Sequence, residues 1–235
     1  MQILALDSSG LVASIAIVEE EQTLVEYTMN YKMTHSQTLL PMLAEVTDMM
    51  GFDLSEIDAI AVSGGPGSFT GLRIGAATAK GLGLALDKPL IQVPTLAGLA
   101  YNLLGREELI CPIMDARRNQ VYTGIYRCND DLEVVEEQAA LEIEKLIEML
   151  NGFKEKVTFL GDGVPVYQEI IEEKMTVPFA FAPLHMNRQR AASVAALGIR
   201  YYKKGQQVTA ADYKPDYLRL SQAERELLEK EGQSS

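Results

Sequence analysis

The run Ser63-Gly64-Gly65-Pro66-Gly67-Ser68-Phe69-Thr70-Gly71-Leu72-Arg73 is where chemistry is first sought, because bare N–H groups in a glycine-rich turn entering a helix can hold a phosphate. It lacks the spacing of a P-loop and does not match GxGxxG. The plainer reading is a tight turn with close backbone approach, capped by Ser68 or Thr70, and it is preferred. Gly65 and Gly67 remain the phosphate-binding candidates, with Asp7 as the carboxylate beside them. Asp7 and Asp115 each end an apolar stretch. An Asp that opens a turn bonds nearby backbone N–H groups without any chemistry, and this is the preferred reading of Asp7. His35 and His185 have no partner at a metal-ligand spacing, so no metal site is expected. No Gly-x-Ser-x-Gly elbow supports a serine hydrolase. Cys111 and Cys128 form neither a zinc nor a redox motif and read as buried, reduced thiols. Arg117-Arg118 and the group Arg188, Arg190, Arg200, Lys203 and Lys204 read as solvated turn and helix faces. Contact with a carboxylate or an RNA phosphate is the lesser alternative.

The surroundings of these residues are those of a globular protein: 235 residues, 47% hydrophobic and 23% charged, which excludes disorder and fibrous repeats. Lys and Arg number 21 against 33 Asp and Glu, and the net charge of -12 argues against nucleic-acid binding by bulk charge. Met1 to Leu6 lacks a basic start and is cut short by Asp7, so no secretory signal is expected. No apolar run reaches the roughly 18 residues of a membrane span. A cytoplasmic protein with no membrane contact is the expectation.

Hydrophobic periodicity gives strands over Ile3–Asp7, Val12–Val18 and Thr23–Thr28, a helix over Ser36–Met50, and a strand over Ile57–Ser63. A helix over Thr70–Leu86, a strand over Leu90–Val93 and a helix over Thr95–Leu104 complete a β-β-β-α-β-α-β-α order. The rest repeats it: strands over Leu109–Met114, Gln120–Tyr126 and Leu132–Glu137, helix Glu142–Leu150, strand Val157–Leu160, helix Val164–Glu173, strand Pro178–Phe181 and helix Arg188–Lys203. Two lobes follow, 1–105 and a reduced second lobe 106–220 carrying the C-terminal helix, with 221–235 a polar tail. In the second helix Gly71, Gly75, Ala79 and Gly83 make one nearly smooth ridge, although each helical Gly costs about 1 kcal/mol relative to Ala. Either the chain's own sheet or a second subunit compensates, and the pattern does not decide between them. On the helix before it Leu39, Leu40, Leu43, Val46 and Met50 share one face, and Met42, Met49 and Met50 beside Leu39 and Leu43 offer a deformable apolar surface of the kind used in partner binding, although Met on a helix is more often core.

The doubled order resembles the actin-like, hexokinase-like and Hsp70-like ATPase superfamily, an α/β fold of two RNase H-like lobes. The wording narrows this: Leu4-Ala5-Leu6-Asp7-Ser8-Ser9, Thr34-His35-Ser36-Gln37, the Gly-Pro-Gly-Ser-Phe-Thr-Gly-Leu-Arg run at Gly65 to Arg73, Met114-Asp115-Ala116-Arg117-Arg118, Gly161-Asp162-Gly163 and Lys214-Pro215-Asp216-Tyr217-Leu218-Arg219 resemble the TsaB (YeaZ) family. That resemblance implies the smaller, non-catalytic paralogue of the TsaD subunit in bacterial synthesis of threonylcarbamoyladenosine at position 37 of tRNA. It implies docking on a TsaD-like partner through first-lobe helices, and places the interface at Leu39, Met42, Leu43, Val46, Met50, Phe69, Gly71, Leu72, Gly75, Ala79 and Gly83. It further implies recruitment of a TsaE-like ATPase, tRNA contact mainly through the complex, and a homodimer when the partner is absent. No intrinsic cofactor is implied, and a nucleotide at the subunit junction is left open. The larger paralogue holds its metal with His-x-x-x-His, and Thr95 and Leu99 stand at the matching positions here; a Leu cannot coordinate a cation. The alternatives are a small-molecule kinase or ATPase with Asp7 and Gly64 to Gly67 at the phosphates, and a glycoprotease-like peptidase, which needs a metal.

Overall fold

A computed structural model describes residues 1–31 and 38–218. The motif Thr34 to Gln37, the expected helix start at Ser36, Arg219 and the polar tail 221–235 therefore lie outside the described residues.

The first half of the chain forms β1 (Gln2–Asp7), β2 (Ala13–Glu19), β3 (Thr23–Met29), α1 (Leu39–Met50), β4 (Ala59–Ser63), α2 (Phe69–Leu86), β5 (Leu90–Val93) and α3 (Thr95–Ala100). The second half forms β6 (Arg106–Asp115), β7 (Gln120–Cys128), β8 (Leu132–Glu142), α4 (Ile143–Phe153), β9 (Val157–Leu160), α5 (Val164–Lys174), β10 (Phe179–Phe181) and α6 (Ala191–Lys203). The repeated order expected from the sequence is present. Two five-stranded sheets result, β3-β2-β1-β4-β5 and β10-β9-β6-β7-β8. In each, an antiparallel meander passes into parallel pairing through a crossover helix: β1 lies antiparallel to β2 and parallel to β4, and β6 lies antiparallel to β7 and parallel to β9. This brings the ends of β1 and β4, and likewise those of β6 and β9, side by side.

Local chemistry sets the boundaries. Gly51, at φ 62, closes α1 in the left-handed region that glycine enters without a Cβ penalty. Ser68 caps α2 by accepting the Gly71 N–H. The helix expected to run to Leu104 ends at Ala100 and tightens into a 3-10 turn at Tyr101–Leu103. The helix expected from Arg188 starts at Ala191 instead. The three preceding residues are drawn into other contacts: Arg188 donates to Gly161 O and Asn187 O, Gln189 to Met114 Sδ, and Arg190 pairs with Glu26.

Among the described residues apolar burial divides into three clusters. Helices α1 and α2 cover the outer face of the first sheet, α4 and α5 that of the second, and the space between the sheets is filled by α3 and α6. These last two helices are exchanged. Helix α3 packs on β6 and β7, and α6 packs on β1, β2, β4 and β5. The C-terminal helix assigned from sequence to the second lobe thus completes the core of the first. Its Gly198 lets it settle on Ala61, whose methyl would lie 2.9 Å from a Cβ added there.

Cys111 and Cys128 are free and buried, and burial pushes each thiol up to about 12. The reactive thiolate is then negligible near neutral pH. An aromatic-disulfide reagent should titrate neither thiol in the native protein and both in denaturant; fast native labelling of either would contradict this packing.

Candidate functional site

The glycine-rich turn after β4 is closed by the chain itself. Asp7, at the end of β1, accepts hydrogen bonds from Ser9 N at 2.9 Å and Ser9 Oγ at 2.7 Å on one oxygen, and from Ser63 Oγ at 2.5 Å on the other. The carboxylate ties the β1–β2 turn to the end of β4. In the turn itself, Gly64 N donates to Val93 O, Gly65 N to Thr95 Oγ1 and Ser68 N to Ser9 O. A Cβ on Gly65, whose φ is 119, would collide with Asp216 O, and one on Gly67 with Ser9 O. Asp216 N in turn donates to Gly64 O at 2.6 Å. The cofactor candidates Asp7, Gly65 and Gly67 therefore sit in a seam between the β1–β2 turn, α3 and the segment around Asp216. The preferred tight-turn reading describes their geometry, with Ser68 as the cap.

The ridge on α2 faces the same seam and requires a correction. A Cβ on Gly71 would collide with Ser8 O, and one on Gly75 would stand 2.6 Å from Ser8 Oγ. Ala79 is fully buried, and a Cβ on Gly83 would meet Leu90, Lys88 O and Ala210 at 3.0 to 3.1 Å. Gly71, Gly75, Ala79 and Gly83 are thus packed on the chain's own sheet and on residues after α6, not offered to a partner. Leu39, Met42, Leu43, Val46 and Leu72, expected at the interface, are likewise buried in the chain's own core. The reason is close packing: Ser8, the residue after β1, lies so near to α2 that only hydrogen fits between them.

The opposite faces of α1 and α2 are exposed, with Glu45 and Asp48 on α1 and Arg73 on α2 among small and apolar residues. They show Leu40, Ala44, Met49 and Met50 on α1, and Ala77, Gly81, Leu84 and Ala85 on α2. Met49 is 79% and Leu84 68% exposed, and a Cβ on Gly81 would have nothing within 4 Å. Of the expected interface residues, Met50 and the half-buried Phe69 reach this surface. At its N-terminal end Arg73 lies over the Phe69 ring at 3.9 Å, and Tyr217 packs on that ring at 4.9 Å. The residues that sequence reasoning missed, Ala77, Gly81 and Leu84, recur at helical spacing just as the inner ridge does.

The second lobe has a matching corner at the ends of β6 and β9. Asp115 Oδ1 accepts from Arg117 N at 2.9 Å and from the Tyr167 hydroxyl at 3.2 Å, while Asp115 N donates to Asp162 Oδ1 at 3.3 Å. Arg117, Arg118 and Asn119 follow with φ of 65, 55 and 57, a left-handed run without glycine. Such a conformation costs roughly 1–2 kcal/mol per residue. The basic group near the chain's end is internally satisfied: Arg200 pairs with Asp131 at 2.6 Å and Lys203 with Glu20 at 3.0 Å.

Burial pushes the Asp162 carboxyl above the ordinary 3.8, outweighing the Asp115 N–H it accepts and the nearby Arg188 guanidinium. A carboxyl raised on folding holds its proton more tightly in the native state, so stability falls as pH rises between the unfolded and folded values. Asp162→Asn should be the more stable protein at neutral pH and should lose that part of the pH dependence. Urea midpoints from about pH 4 to pH 7 read this directly; a parallel shift of parent and variant would refute it.

Comparison with known proteins places these features in a family. A family model described as "TsaD: tRNA N6-adenosine threonylcarbamoyltransferase" matches residues 23–227. The chain is 34% identical, over 97% of its own length and 99% of the relative's, to the tRNA threonylcarbamoyladenosine biosynthesis protein TsaB of Bacillus subtilis (strain 168). The chain belongs to the TsaB (YeaZ) family. A solved YeaZ from Pseudomonas aeruginosa superposes with a TM-score of 0.79 at 30% identity, covering 92% of this chain and 99% of that one. The ethanolamine utilization protein EutJ from Carboxydothermus hydrogenoformans, at 11% identity, 0.53 TM-score and 83% and 89% coverage, shares the fold alone. The actin-like, two-sheet architecture expected from the doubled order is that of the TsaB family.

Within this TsaB-family chain, Thr95 and Leu99 lie on α3 and are buried. Thr95 Oγ1 serves the glycine turn and Leu99 belongs to the core between the sheets. Among the described residues no three His, Cys, Asp or Glu side chains gather as a metal-binding group. Nor is any described helix long and apolar enough to cross a membrane.

Proposed function

We propose that this chain is a non-catalytic assembly subunit in tRNA threonylcarbamoyladenosine synthesis. It docks on a TsaD-like larger paralogue and helps to create the surface that a TsaE-like ATPase joins, in the cytoplasm. The observation that carries the reading is the exposed face of α1 and α2, where Leu40, Ala44, Met49, Ala77, Gly81 and Leu84 are left open to solvent with Glu45, Asp48 and Arg73 beside them. Soluble chains rarely leave such a patch uncovered, and one rimmed by polar residues marks an association site. Small residues at the centre let a partner helix come close, and the Phe69–Arg73–Tyr217 stack at one end has the composition of a binding hot spot. We read residues 1–105 as the docking lobe and 106–220 as its brace, with α6 exchanged between them.

The non-catalytic part rests on residue chemistry: Thr95 and Leu99 stand where resemblance puts the paralogue's two metal histidines, and neither can replace an imidazole. The kinase or ATPase alternative has the less support, because Asp7 and the glycine turn spend their polar groups inside the chain. Size-exclusion chromatography of the purified chain mixed with its larger paralogue, followed by threonylcarbamoyl transfer to tRNA, tests the proposal. Co-elution, with transfer by the mixture and none by this chain alone, is expected. Separate elution, or transfer or ATP turnover by this chain alone, would overturn it.

A further inference from the structure

The turn joining β6 to β7 takes no part in the docking just described, yet it is held with unusual care. Ala116 N donates to Gln120 O, Gln120 N to Arg117 O, and Ile143 N to Asn119 O. The Tyr167 hydroxyl braces it from α5, reaching Asp115 Oδ1 and Gln120 O at 3.2 Å each. Three left-handed residues in succession would be an easy place for Gly or Asn, and two of the three are arginines. Their side chains are presented outward. Arg117 is 87% exposed and meets Asp115 at 3.3 Å, and Arg118 enters no ion pair among the described residues. The N–H groups of Arg118 and Asn119 donate to no partner among the described residues. Successive N–H groups in such a turn form a concavity suited to an anion.

We propose that the Arg117-Arg118-Asn119 turn is an RNA contact, gripping phosphates of the tRNA backbone with two guanidinium groups and the Arg118 and Asn119 N–H groups. The inference rests on the tRNA-pathway reading above and adds to it where this subunit meets the RNA. A net charge of -12 keeps a polyanion away from most of the surface, so contact has to be local. Of the carboxylates near the turn, Asp115 pairs with Arg117 at 3.3 Å, and in the groove that Arg118 lines Glu142 pairs with Lys145 at 3.3 Å and Glu144 with Lys174 at 2.7 Å. An acidic protein partner is the poorer fit. A protein surface offering its carboxylate to this tip would also desolvate Glu169 and Glu173 of the groove that Arg118 lines. The guanidinium fork matches a phosphate bidentately.

The test measures tRNA binding by fluorescence anisotropy across a salt series, using the heterodimer of the full chain with its larger paralogue. Arg117→Ala/Arg118→Ala should weaken binding about tenfold at low salt and reduce the slope of log affinity against log salt by about 1 to 2. Arg117→Lys/Arg118→Lys should keep the slope while losing part of the affinity, and also guards against a folding defect in the alanine pair. Unchanged affinity and slope in a folded alanine pair would overturn the proposal. So would weakened heterodimer assembly with unchanged tRNA affinity once assembled, which would assign the turn to a protein carboxylate. If the unmodified chain fails to join the paralogue, the docking reading falls instead. The turn is then judged on the isolated chain, by tRNA-induced shifts of the Arg118 and Asn119 amide signals; no shift overturns it.

Discussion

Gly71→Ala should lower the melting temperature by about 6–12 °C, a single added methyl in a helix where alanine is normally the better residue. The added carbon would fall on the Ser8 carbonyl, and that carbonyl belongs to the turn whose Ser9 oxygen holds Ser68 N. A backbone obstacle of this kind cannot rotate away. Overpacking of about 3 kcal/mol is expected, at about 2–4 °C per kcal/mol for a chain this size. The same exchange ten residues on should have the opposite sign, since Gly81→Ala meets open space and gains about 1 kcal/mol of helix propensity. Differential scanning calorimetry of the two variants compares them directly. Equal melting temperatures would mean that α2 is free to slide and that its inner ridge is not pinned.

Leu84→Glu should leave folding nearly untouched and impair association severely. The side chain is 68% exposed, so stability should stay within about 0.5 kcal/mol of the parent. Within the proposed docking face the buried carboxylate would cost about 2 kcal/mol or more, at least about 30-fold in affinity for the larger paralogue. Titration calorimetry gives the number, and a circular dichroism melt shows whether the fold survives. Undiminished affinity would move the interface off α2.

What the sequence conveyed about this fold depended on whether a pattern names its own neighbour. Alternating and period-3.6 patterns do: the order of strands and helices, and Val157–Leu160 and Leu90–Val93 to the residue, could be read directly. The α2 ridge does not. Gly71, Gly75 and Ala79 announce that something comes close, but Ala77, Gly81 and Ala85 form a second small-residue stripe on the other side, and with so few charges on the helix neither stripe is marked as the solvent side. The Met/Leu helix misled for a related reason, since Met42 and Leu43 are core while their neighbours Leu40 and Met49 are exposed. The exchange of α3 and α6 was hidden because chain order favours packing within each repeat. One signal was available: α3 is buried at every position from Thr95 to Ala100, and its sequence shows no polar face for solvent. The second-lobe turn was legible as Asp-Ala-Arg-Arg but not as three left-handed residues, because arginine carries no preference for that region.

The exchanged helices also bear on how the chain is made. The first sheet leaves the ribosome early, yet the helix that covers its inner face, Ala191–Lys203, is translated after both sheets. At about 5–20 residues per second, β1, β2, β4 and β5 wait several seconds with one apolar side bare. A nascent polypeptide in that state is a natural client for a chaperone, and a stop codon shortly before Ala191 would damage the half of the molecule synthesised first.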